Sequence, residues 1–393
     1  HEEALKCFDQ MHVRGISPNA ATFVSITKAC CSIGSIEKGQ NIHMEIVKKG
    51  FVETDVAIVN TLIDMYAQCG NLEKACHVFG KSLQRNVVTW SILIAGFIQY
   101  GFSEEAMNCF ENMRQLAYSP DVTTFACILK ACGSTGNVQK GEEMHVEISR
   151  QGSLGKDTIV GTALVDMYAK CGMLAKAQQV LKELPSRNVV TWSILIAAYA
   201  QKGQGHEALQ CFEEMQREGL YPDEVTFTGI LKSCGSIKSL NKGKQIHEEI
   251  ISKGLLGKDI ILGNALVDMY SKCGFLGEAR KVLENLPERH VISWSALIAG
   301  YSQQGQGHEA LSCFDQMLND GLSPDMVTFI CLLKVCGSIG AIEKGKQIHN
   351  EIASRGFLAK NTVVGTAVVD MYAKCGLLKK AQQVLDGLCI RTK

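Results

Sequence analysis

Nowhere in these 393 residues do about 18 apolar side chains run together, so the sequence offers no helix long and greasy enough to cross a bilayer. Seventeen cysteines include no C-x-x-C pair, which removes the usual structural zinc ribbon or finger. A Gly-rich phosphate loop, a G-x-S-x-G elbow and a carboxylate pair set apart from its surroundings are all missing, so nothing argues for an enzyme, a metal or a cofactor. The period-two alternation of half-buried strands is never sustained, which leaves an all-α chain. Net charge is absent too, since 40 basic residues balance 40 acidic ones. The first residues have neither signal-like nor transit-like character and open inside a repeat, so the expectation is a fragment whose address label is missing.

What is present is repetition. "VVTWSILIA" stands at 87–95 and again at 189–197, with "VISWSALIA" at 291–299. The same shift of 102 superposes Trp90, Trp192 and Trp294, and His43, His145, His247 and His349. That period exceeds any common solenoid repeat, so it is a supercycle of smaller units. Units of 35 residues lie at 87–121, 189–223 and 291–325, with residues 1–19 as the tail of another. Units of 36 residues lie at 20–55, 122–157, 224–259 and 326–361. Units of 31 residues lie at 56–86, 158–188, 260–290 and 362–392, with Lys393 after the last. In such an array each unit buries its apolar face only against its neighbours, and the 46% hydrophobic content supplies one elongated core.

Each unit reads as a helical hairpin. In the 31-residue unit Leu164, Met167, Tyr168 and Cys171 recur at i, i+3, i+4, i+7, Gly172 marks the turn, and Ala177, Val180, Leu181 and Leu184 form a second run before Pro185. Twelve cysteines fall into the 102-residue series of Cys7, Cys30 and Cys69, on apolar faces or helix ends, and are expected as buried, reduced thiols. An H-x-E at His43, His145, His247 and His349 resembles the start of a deaminase zinc motif, but its P-C-x-x-C half is missing, so a packing role is expected.

Three interlocked motifs in fixed order, "VVTWSILIAGF", "TFACILKACGSTGNVQKGEEMH" and "GTALVDMYAKCGMLAKAQQVL", resemble the P, L and S repeats of plant pentatricopeptide repeat proteins of the PLS subclass, over essentially the whole chain. The resemblance implies a right-handed superhelical solenoid of helix-turn-helix repeats that binds single-stranded RNA at about one base per repeat. It also implies that the fifth residue of a repeat's first helix and the repeat's last residue select the base, while the second residue stacks on it. On that basis Ser91 with Asp121, Ser193 with Asp223 and Ser295 with Asp325 read guanine, whose Watson–Crick edge offers two donors to an acceptor-only carboxylate. Thr162 with Asn188 prefers adenine and Asn60 with Asn86 a pyrimidine, while Asn264 with His290 and Thr366 with Thr392 receive no base. Val88, Ile159, Val190, Ile261 and Ile292 are the implied stacking residues.

In the 36-residue units Val24, Ala126 and Ile330 at the fifth position cannot hydrogen-bond a base, so these units space the RNA or hold a protein partner; Thr228 with Asp259 could read guanine. An alternative role for the small polar residues is helix capping. Lys28, Lys130, Lys232 and Lys334, with Lys170, Lys272 and Lys374, share the face of the fifth residue at i+4 or i+8 and are expected at phosphates, the alternative being a solvated face; Gln68 breaks the stripe.

Such proteins act mostly as specificity factors for C-to-U editing of mitochondrial or chloroplast transcripts, with accessory proteins and a deaminase domain in the same chain or another as partners. The extension and DYW domains that usually supply the chemistry do not occur by Lys393. A peptide-binding scaffold, or a factor in RNA processing or stability, are the alternative readings.

Overall fold

The computed structural model describes residues 1–152, 157–257 and 259–389, and every regular element among them is an α-helix. The chain divides into two compact units, His1–Ala198 and Tyr199–Lys393. In the first, the hairpins Ala20–Ser32 with Ile36–Lys48, Val56–Gln68 with Leu72–Lys81, Val87–Gln99 with Ser103–Gln115, Val122–Thr135 with Val138–Arg150, and Thr158–Lys170 with Leu174–Glu183 follow one another in order. In the second, Glu224–Ser236 with Leu240–Ser252, Ile260–Lys272 with Leu276–Asn285, Val291–Gln303 with Gly307–Asn319, Met326–Ile339 with Ile342–Ser354, and Thr362–Lys374 with Leu378–Cys389 do the same. Within each unit, the first helices of successive hairpins lie against one another.

Local chemistry sets the ends of these helices. An Asn or Asp precedes most first helices and accepts a backbone N–H from the opening turn, as Asp121 does from Thr124 N at 2.8 Å. In the 31-residue units the first helix stops at a glycine. Gly172 takes φ +77°, donates to Ala169 O at 3.0 Å, and lets Met173 N reach Tyr168 O at 2.9 Å, a closure that a side chain at 172 would strain.

Packing between hairpins depends on size matching. A Cβ on Gly141 would stand 2.5 Å from Met167 Sδ, so the glycine admits the methionine of the following unit. The H-x-E histidines sit at the same joint. His43, His145, His247 and His349 place Nδ1 at 2.9–3.0 Å from the hydroxyls of Tyr66, Tyr168, Tyr270 and Tyr372. Burial lowers the pKa of all four histidines and raises Tyr66, Tyr168 and Tyr270 to about 12, which keeps both partners neutral.

The cysteines divide. Cys30, Cys109, Cys132, Cys211, Cys234, Cys313 and Cys336 are buried, and burial pushes Cys109 and Cys234 to about 12. Cys7 is exposed and Cys69, Cys171, Cys273 and Cys375 are only half-buried, against the expectation for their series; the last four sit at the C-terminal ends of their helices, beside the turn.

Candidate nucleic-acid interface

The second residue of a first helix lies on the outer side of the opening turn, where no following helix covers it. Val88, Ile159, Val190, Ile261 and Ile292 are accordingly 48 to 63% exposed, although each is apolar. Val225, Val327 and Val363 stand at the same position with the same exposure, and counting from the helix start marks them as members of the same series. A large apolar side chain is thus held against water in eight of the hairpins, with Ala21, Ala57 and Thr123 at the same place in the others, and such a series suits a stack of flat aromatic rings.

The last residue of each unit is the N-cap of the next unit's first helix. Asn86 Oδ1 accepts from Thr89 N, Asn188 Oδ1 from Thr191 N, Asp223 Oδ1 from Thr226 N and Asp325 Oδ1 from Thr328 N, all at 2.8–2.9 Å. Asp259 Oδ1 accepts from Ile261 N at 2.7 Å, whereas His290 makes no such side-chain bond. Capping therefore belongs to the last residue. The fifth residue lies inside its helix, and Ser91, Ser193 and Ser295 each bond back to the carbonyl four residues earlier at 2.7–2.8 Å.

The structure brings several of the paired residues together. Ser91 Oγ is 3.0 Å from Asp121 Oδ1 and Ser295 Oγ 3.4 Å from Asp325 Oδ1, across 30 residues of chain. Asn60 and Asn86 meet through Thr89, whose Oγ1 is 2.7 Å from the first and 2.9 Å from the second. Ser193 belongs to the first compact unit and Asp223 to the second. Thr162, Thr228 and Thr366 turn their hydroxyls back to Thr158, Glu224 and Thr362 carbonyls. Asn264 is buried and its Oδ1 has no partner, while His290 is exposed. Thr392 lies outside the described residues.

One of these positions opens into a cavity of about 480 Å³, between Ile159 and Val190, with Thr162 and Asn188 in its lining and Lys130 and Asp166 beside them. It combines two apolar walls with a hydroxyl and an amide, so a planar polar ring has both a stacking surface and an edge to bond.

All seven stripe lysines are exposed. Their states differ. Lys170, Lys272 and Lys374 bind Asp166, Asp268 and Asp370 one turn earlier at 2.6–2.7 Å, and their stems lie over Gly133, Gly235 and Gly337. Among the described residues no ion pair reaches Lys28, Lys130, Lys232 or Lys334. The break at Gln68 has a partner: Cys31 replaces the glycine there, its Sγ meets Gln68 Oε1 at 2.8 Å, and Gln68 Nε2 donates to Asp64.

Helical hairpins in tandem, most with an exposed apolar second residue and several with a small polar pair joining fifth and last residues, define a helical-repeat array. Models described as PPR repeat family match residues 85–134, 187–236 and 289–338, and models described as PPR repeat match 162–189, 264–291 and 366–389. Residues 1–82 match a model described as Pentatricopeptide repeat-containing protein. The chain belongs to the pentatricopeptide repeat family.

A chloroplastic pentatricopeptide repeat-containing protein of Arabidopsis thaliana is 34% identical over 388 residues, 98% of this chain and 62% of that protein. A mitochondrial one from the same plant is 33% identical over 387 residues, 98% of this chain and 55% of that protein. The chain thus spans little more than half the length of these relatives. Among solved structures, the pentatricopeptide repeat protein PPR10 in complex with an 18-nt psaJ RNA element superposes with a TM-score of 0.72 at 18% identity, covering 88% of this chain and 52% of that one. At that identity the likeness is one of fold.

Proposed function

We propose that this chain binds single-stranded RNA in a sequence-specific way, at about one base per repeat, and has the P, L, S order of a factor that selects targets for C-to-U editing in a chloroplast or mitochondrion. The observation that carries the RNA reading is the cavity between Ile159 and Val190, where two exposed apolar walls flank Thr162 and Asn188. Supporting it are the bonded Ser91–Asp121 and Ser295–Asp325 pairs, which offer a carboxylate to the two donors of guanine. The solved relative bound to RNA and the organellar names of the sequence relatives point the same way. Editing follows from the repeat order alone, with the chemistry supplied by a deaminase domain in the same chain or another, and with accessory proteins held at the 36-residue units.

With the RNA 5′ end at the N-terminal repeats, the units from 56 to 325 read pyrimidine, G, any, A, G, any or G, unassigned, G. Selection from random RNA followed by sequencing tests this. Enrichment of that pattern is the expected result, and recovery of RNA without any shared pattern, or of none, would refute it in favour of a peptide-binding scaffold.

A further inference from the structure

The base-reading pair is held by a third residue that belongs to the next repeat. Thr124, the third residue of helix Val122–Thr135, is fully buried. Its Oγ1 is 2.7 Å from Asp121 Oδ1 and 2.7 Å from Ser91 Oγ, and its N–H reaches the same Oδ1 at 2.8 Å. Three polar atoms, the third being Ser91 Oγ at 3.0 Å, therefore converge on one carboxylate oxygen. Ser91 itself is only 4% exposed. Bonds to Oδ1 alone fix the carboxylate's rotation and leave Oδ2 to accept from another donor. Thr328 repeats the arrangement around Ser295 and Asp325. Thr89 does it for amides: with its hydroxyl against the oxygens of both Asn60 and Asn86, the Asn60 NH₂ is directed away from it, as a donor for the carbonyl oxygens of a pyrimidine.

The chain contains its own control. Where a 36-residue unit meets a 31-residue unit, the third residue of the new helix is Ile58, Val160, Leu262 or Val364, with no hydroxyl. There the cap turns instead to the second residue, Asp157 Oδ1 to Ile159 N at 2.8 Å and Asp259 Oδ1 to Ile261 N at 2.7 Å. These are the junctions after Val24, Ala126 and Ile330, whose side chains have nothing for a hydroxyl to hold, and after Thr228, which bonds only its own helix at Glu224 O. At Asn264 the third residue is Ser293, whose Oγ donates to His290 O, and the asparagine oxygen has no partner.

We propose that Thr89, Thr124 and Thr328 are positioning residues for base recognition: each, with its one hydroxyl donating to the last residue's oxygen, gathers the fifth and last residues of the preceding repeat into one triangle of close polar contacts that decides which polar atom faces the base. The proposal rests on the RNA reading above. It has two consequences. The unit 224–259 discriminates weakly although it holds a Thr and an Asp, because Leu262 cannot close its triangle. Removing the hydroxyl at 124 costs selectivity at one base while leaving other bases unaffected.

Competition binding uses pairs of eight-base RNAs differing in G or A at the second or the sixth base. For the wild type, the second base should show roughly tenfold preference for G, the size of a good base-edge contact, and the sixth a clearly smaller one. Thr124→Val should bring the second-base ratio to within about twofold of unity, and Thr124→Ser should keep it, since both variants retain a capped helix and differ only in the hydroxyl. Helicity and melting of both variants are read alongside. A folded Thr124→Val protein with the wild-type ratio overturns the proposal, as does a Thr124→Ser protein that loses as much, which would assign the position to packing by its methyl group. Equal preference at the second and sixth bases in the wild type also overturns it, without any variant. Wild-type protein that binds RNA with no preference at the second base refutes the guanine assignment itself, and the triangle with it.

Discussion

Trp294 and Trp90 occupy equivalent places, yet only one has its indole satisfied. Trp294 Nε1 donates to Asp320 Oδ2 at 3.2 Å, and Arg289 supports that carboxylate at 3.3 Å. At the earlier repeat Leu116 stands where Asp320 does, and the buried Trp90 Nε1 has no partner. Leu116→Asp should restore the bond beside Arg85 and stabilise the protein by about 1 kcal/mol, the usual worth of one internal hydrogen bond. Thermal unfolding checks it, and a melting temperature at or below that of the wild type would count against the account. Such a defect is invisible in the sequence, since it joins residues 26 apart at the end of another helix. The second-position valines were legible, because Val225 and Val327 need only be counted from the helix start. The burial of Ser91 was not, since it depends on Thr124 closing over it from the next repeat.

Helices carry charge and pH effects of their own. Among the described residues no acid pairs with Lys130, whereas Lys170 is offset by Asp166 at 2.6 Å. If phosphates run along this edge, Lys130→Gln should flatten the salt dependence of RNA binding by about 0.7 log units per log unit of salt, one contact on a single strand. Lys170→Gln should change it less, because its removal also frees Asp166. Titrating affinity against salt for both variants decides the point, and equal slopes would return Lys130 to an ordinary solvated face. The Asp166–Lys170 spacing of i, i+4 could have been read from the sequence; the stem of Lys170 lying over Gly133, which explains why Cys31 and Gln68 change together, could not.

The four histidines against tyrosines add a pH dependence. Burial holds each below its ordinary value of 6.5, so as pH falls through 6.5 the unfolded chain takes up protons that the folded one does not. Stability is full above that pH and is lost below it, toward the lowered folded values. Melting followed from about pH 7.5 to about pH 5 should show the decline, and His145→Asn should lessen its slope by one group's share. A flat profile would mean that these histidines take up protons in the folded protein as readily as in the unfolded chain.

At the scale of the whole chain, 40 basic and 40 acidic residues leave no net charge to gather a polyanion, so attraction has to come from where the lysines stand and not from how many there are. The 102-residue period was fully legible, since each turn of it copies caps, glycines and tryptophans at fixed places. A different boundary governs use. By sequence Asp121 ends one repeat, but by hydrogen bonds it begins the next, fastened to Thr124. The unit that can be transplanted is therefore not the one that the eye cuts from the text. Under the reading proposed above, a graft spliced between Asp121 and Val122 would carry the carboxylate away from the Thr124 hydroxyl bonded to it, whereas a seam in the hairpin turn at Gly136 leaves pair and anchor on the same side.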